Sequence, residues 1–150
     1  MKVEVWSDVA CPWCYIGKVR FERAVAEFGK PVDVTYRSYQ LDPSLPAHDP
    51  RGEVDYLVER KGMSRDQVLA MIAHVTDAAA GEGLTFDFDR LVVANSFTAH
   101  RLLHHAKGAR PASRAASGRI VLRSMYNEPG RSRASNPFSP SARPRTSGES

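Results

Sequence analysis

Cys11 and Cys14 carry the strongest chemical signal in this 150-residue chain, and they are its only cysteines. They stand as Cys11-Pro12-Trp13-Cys14 at the start of an amphipathic stretch, which places Cys11 at the cap of a helix whose first residue is Pro12. Proline loses no N–H that a helix start requires, so the free N–H groups of the first turn are left to face the Cys11 sulfur. The positive end of the helix dipole favours a thiolate there, and thiols in such motifs titrate from roughly 7 down to about 3.5. Cys11 is therefore expected to be the nucleophile. Cys14, one turn later, is near enough to close a disulfide with it and lies on the side of the helix turned toward the protein, as a buried resolving thiol would. Two readings compete: a pair of unreactive core cysteines, and half of a zinc site completed by His100 and His104 at an i, i+4 spacing. The long gap between Cys14 and His100 gives zinc little support, and the strand-to-helix setting of the pair favours redox chemistry.

That setting follows from the flanking pattern. Residues 3–8 alternate apolar and polar, with Val3 and Val5 on one face, and read as a strand. Cys14, Gly17, Phe21, Ala24, Val25 and Phe28 recur at helical spacing and predict a helix over 12–28 with these residues facing inward, ended by Gly29-Lys30-Pro31. Alternation returns in 32–37, so the chain opens β-α-β. Prolines at 43, 46 and 50 predict a loop over 41–50. A short helix is expected over 53–61. Ser64 and Gln67 match a capping box ahead of a helix over 65–80, and Asn95-Ser96 caps a last helix running through Ala106. The expected organisation is half of an α/β domain over 1–40, a helical insertion over 41–107, and a tail over 108–150.

Composition limits what the chain can be. No apolar run approaches the roughly 20 residues of a membrane-spanning helix, so no integral membrane protein is expected. The N-terminus lacks the continuous apolar region of an export signal, and with two cysteines this points to a reducing cytosol. Charge is uneven: residues 1–108 hold 13 Lys and Arg against 15 Asp and Glu, whereas 109–150 hold 8 Arg against 2 Glu. The tail carries nine Ser, six Ala and five Pro beside those arginines, too little apolar area to offset ordering entropy. It is expected to be disordered, with at most one short element at 117–126. Its arginines lack lysines and interleaved aromatics, so nucleic-acid binding is not expected.

Four further residues are weighed for the site. Trp13 and Tyr15 could form an apolar rim for unfolded substrate, although aromatics at a helix start are more often packed. Asn95 and His100 could serve the site, yet a helix cap and a packed histidine explain them equally well.

Three ordered segments resemble one family. Residues 5–17, Val-Trp-Ser-Asp-Val-Ala-Cys-Pro-Trp-Cys-Tyr-Ile-Gly, resemble the start of the FrnE-like branch of the DsbA family of thiol-disulfide oxidoreductases. Residues 36–43, Tyr-Arg-Ser-Tyr-Gln-Leu-Asp-Pro, are similar to that family's second strand and its exit, and 94–102, Ala-Asn-Ser-Phe-Thr-Ala-His-Arg-Leu, to a motif in its helical insertion. Glutathione-using relatives, the 2-hydroxychromene-2-carboxylate isomerases and kappa-class glutathione transferases, carry serine where Cys11 stands, so two cysteines favour the redox branch. The resemblance implies an incomplete thioredoxin-like fold with an inserted helical subdomain, disulfide- or thiol-containing protein substrates, and no metal or organic cofactor. It implies catalysis by Cys11 and Cys14 and motif positions at Pro12, Trp13, Tyr15, Asn95 and His100. It is read as ending near residue 107, without the family's Val-Pro segment and closing strands. The Arg-, Ser- and Pro-rich tail is accordingly expected to be frame-shifted, and a truncated non-catalytic fragment or a basic-tailed binding protein is the competing expectation.

Overall fold

A computed structural model of the chain describes residues 1–107. The expected disorder and frame shift of 108–150, and the short element at 117–126, fall outside the described residues. Strand β1 (Lys2–Ser7) is followed by helix α1 (Pro12–Phe28) and strand β2 (Asp33–Ser38), and the two strands pair in parallel with Lys2 opposite Asp33 and Ser7 opposite Ser38. Three helices follow: α2 (Glu53–Lys61), α3 (Arg65–Ala80) and α4 (Phe97–Lys107). Parallel strands require a crossover, and α1 supplies it. Its start is set by Cys11 in an extended conformation ahead of Pro12, and its end by Gly29 at φ 67°, a left-handed position that favours glycine. The α3 capping box is made in both directions: Ser64 Oγ accepts from the Gln67 N–H and Gln67 Oε1 accepts from the Ser64 N–H. Among the described residues no helix is long and apolar enough to cross a membrane.

The main buried cluster is Val9, Tyr15, Ile16, Val75, Ala79 and Phe86. It lies where the first turns of α1 meet the last turns of α3 and the connection around Phe86, so burial is concentrated directly beside the cysteine motif. This corrects the inward face expected for α1. Tyr15 and Ile16 are buried there, whereas Gly17 and Ala24 are exposed and Phe28 is 49% exposed. The helix turns its 15–16–19 side toward α3, and successive residues on a helix diverge by 100°, so the stripe begun at Cys14 runs along the rim of this contact. Arg20 and Arg23 on the outer side of α1 both reach Glu82, just past α3, and tie the two helices together from solvent.

Candidate thiol site

The motif sits on a turn built by Asp8. Its carboxylate Oδ1 accepts the Ala10 N–H at 3.2 Å and its main-chain oxygen accepts the Cys11 N–H at 3.2 Å, which ends β1 and lifts the chain into α1. Buried Val9 pins the same turn to the core. Cys11 then caps the helix with its sulfur: the Cys14 N–H points at Cys11 Sγ at 3.4 Å, while the Cys11 carbonyl accepts from the Cys14 and Tyr15 N–H groups.

Both cysteines are free thiols and both are half-buried. A buried Cys14 was expected. Its place at the edge of the helix contact, one residue before buried Tyr15, leaves it as open as Cys11. The two thiols lie one turn apart and influence each other's ionisation, so their protons come off as those of a pair. Cys14 is held down to about 6, first by the hydrogen bond from the Cys11 thiol and further by the backbone of Asp8, against burial and the Asp8 charge. Cys11 is pushed up, first by donating that hydrogen bond and then by burial. The first ionisation belongs to the pair, and it is lowered because the remaining thiol and main-chain donors support the first charge.

Trp13, 43% exposed, lies against His74 of α3 with ring centroids 5.6 Å apart, at the surface beside the motif. Tyr15 does not belong to any rim: it is 4% exposed and stacks on Phe86 at 6.0 Å, because the helix rotates it into the core. Pro12 occupies the first helical position as expected.

His100 comes to the motif from α4. It is buried, and its Nε2 lies 3.1 Å from Asp8 Oδ1. Asn95 lies one connection away and acts as a staple: its Oδ1 accepts from Gln40 Nε2 and the Phe97 N–H, and its Nδ2 donates to the Pro43 and Leu45 carbonyls. It therefore starts α4 and ties down the loop leaving β2, while remaining apart from the sulfurs. His104, the other histidine of the zinc alternative, bonds Ser38 Oγ at 2.9 Å. Among the described residues no three His, Cys, Asp or Glu side chains gather as metal ligands.

Asp8 itself, with Ser96, is what the sequence reading missed. Burial pushes the Asp8 carboxyl up, but hydrogen bonds from His100, the Leu41 and Ala10 N–H groups and Ser96 outweigh it and hold the carboxyl below its ordinary value. An acidic residue closing an alternating strand directly before the cysteines was the available signal. Beside this network opens a cleft of about 370 Å³ walled by Tyr39, Phe97 and Arg101, with His100 on its lining.

Comparisons with known proteins agree with this architecture. The family model described as a DSBA-like thioredoxin domain matches residues 2–124, which carries the likeness past residue 107, where the sequence reading ended it. A crystal structure of a probable DsbA oxidoreductase from Streptomyces coelicolor superposes with a TM-score of 0.77 at 37% identity, over 87% of this chain and 56% of that one. The chain thus spans little more than half the length of that solved relative. YwbO of Bacillus subtilis (strain 168) is 43% identical over 49 residues, 32% of this chain and 24% of that protein.

Proposed function

We propose that this chain, which belongs to the DSBA-like thioredoxin domain family, works as a thiol-disulfide oxidoreductase through Cys11 and Cys14. The observation that carries the reading is geometric: two half-buried free thiols stand one turn apart at a helix start, with the Cys14 N–H aimed at Cys11 Sγ at 3.4 Å. Ionisation of the pair leaves one thiolate and one thiol, and passing the remaining proton from Cys11 to Cys14 places the charge on Cys11. The Cys11 thiolate attacks one sulfur of a substrate disulfide; an S–S bond forms to Cys11, the substrate S–S bond breaks, and its second sulfur leaves as a thiolate that takes up a proton. Cys14 then loses its proton and attacks Cys11 Sγ, which closes Cys11–Cys14 and expels the second substrate thiol. The protein dithiol is oxidised by two electrons and the substrate disulfide is reduced; the reverse sequence oxidises a substrate dithiol. No metal or organic cofactor enters either direction.

The motif Asp8-Val9-Ala10-Cys11-Pro12-Trp13-Cys14 supports the FrnE-like branch, and protein disulfides in a reducing cytosol are the proposed substrates and setting. Exposed Trp13 is the proposed apolar contact for them. The test is trapping. A Cys14→Ser protein should accumulate a mixed disulfide at Cys11 with a disulfide-bonded model peptide, and Cys11→Ser should trap at least tenfold less. Equal trapping by the two variants, or an unmodified chain that never gains an internal Cys11–Cys14 disulfide on oxidation, would overturn the reading.

A further inference from the structure

We propose that His100, acting through Asp8, is a positioning residue for the thiols: the buried pair fastens α4 to the turn presenting Cys11 and keeps one carboxylate charge in that turn. The inference rests on the thiol-disulfide reading and concerns how that site is tuned.

The argument starts from burial. Asp8 is 2% exposed and His100 5%, and a carboxylate so placed is tolerated only when its oxygens are satisfied. The donors come from three separate parts of the chain: Ala10 in the turn itself, Leu41 in the loop leaving β2 at 2.7 Å, and Ser96 and His100 at the start of α4. A carboxylate only accepts, so His100 Nε2 carries the hydrogen of the bond it makes. The acceptor of the Cys11 N–H is the main-chain oxygen of this same Asp8, so displacement of α4 is transmitted over one residue to the cap of the catalytic helix. Apolar side chains could close such a contact without the cost of burying a charge. The retained charge faces two kinds of ionisable group: the thiols of α1 and the imidazole of α4. Its negative sign opposes a thiolate at Cys14, while His100 and Ser96 draw part of that charge to themselves.

The two partners are therefore expected to act with opposite signs. Asp8→Asn keeps one acceptor oxygen, enough for the Ala10 N–H and His100 on the Oδ1 side but not for the Leu41 N–H on the Oδ2 side, and it removes the charge, so the pH midpoint for iodoacetamide labelling of the thiols should fall by about one unit, equivalent to tenfold more thiolate at a pH below both midpoints. His100→Leu leaves the carboxylate without its imidazole donor, and the midpoint should rise. His100→Gln, which can still donate, should return it toward that of the unmodified chain. A role confined to holding the turn would loosen the site in every variant and move the midpoints together. Shifts of the same sign in Asp8→Asn and His100→Leu, or none in either, overturn the proposal. Should Asp8→Asn fail to fold, the His100→Leu and His100→Gln pair decides alone, equal midpoints in the two overturning it. Labelling midpoints are read without any disulfide exchange, so an unmodified chain that labels normally but never forms Cys11–Cys14 fails the functional reading and leaves this test separate.

Discussion

Two carboxylates, Asp8 and Asp49, are both nearly closed off from solvent, at 2% and 4% exposure, yet they are neutralised in different ways. Asp49 is paired with Arg51, two residues away, whose guanidinium also reaches Glu59 and stays 35% exposed. Asp8 has no arginine or lysine beside it among the described residues; it is held by main-chain N–H groups, a hydroxyl and an imidazole 92 residues distant. The first is a local clasp at the edge of water, closing the loop ahead of α2. The second is a long-range hub that joins α4 to the thiol turn. A local clasp can break while the rest of the fold stands, whereas a hub that loses its centre strands buried donors on every element it joined.

The sharpest break is therefore Asp8→Ala, which leaves His100 and several N–H groups facing a void. It should cost about 3 kcal/mol in chemical denaturation, the range for removing one partner of a buried pair. A loss below ~1 kcal/mol would show that the hub is already solvated.

Asn95→Ala should cost less, about 2 kcal/mol, since it removes a helix cap and the donors to the Pro43 and Leu45 carbonyls from a partly exposed loop. Asn95→Asp sharpens the point: it keeps the cap but turns an acceptor against those two carbonyls, so it should be less stable than Asn95→Ala above pH 5, read by thermal melting.

Acid should open the local clasp. Asp49 is held at about 2, chiefly by the Arg51 hydrogen bond, and Asp42 at about 2 by Ser44, Tyr56 and Arg60 against a small burial penalty. Carboxyls lowered by folding contribute stability that is complete above their unfolded value of about 3.9 and disappears as pH falls through the folded value. Hydrogen exchange in residues 42–51 should accelerate between about pH 4 and pH 2, and Asp42→Asn with Asp49→Asn should flatten that response. Unchanged exchange over this window would detach the clasp from its charges.

The smallest effect belongs to Arg65 and Asp55, an ion pair between α3 and α2 with both side chains about 60% exposed. Solvent screening limits it to about 0.5 kcal/mol or less, so Arg65→Ala should leave the denaturation midpoint almost unmoved.

How much of this was legible in the residues follows the range of the interactions. The helices over 12–28, 53–61 and 65–80 were predictable with their ends, because Pro12, Gly29 and the Ser64–Gln67 box act over one turn through fixed backbone dihedrals. For the same reason the sequence alone determined the β-α-β order and the placing of Cys11 at a helix cap. Only the tertiary structure decided which side of α1 is inside, and with it the burial of Tyr15 and the openness of Cys14, because amphipathic spacing marks a stripe without naming the element that will cover it. The same holds for the closure of Asp8 upon His100. Nothing in residues 92 positions apart fixes their approach until α4 has packed against the turn, and that packing depends on contacts made by the whole fold.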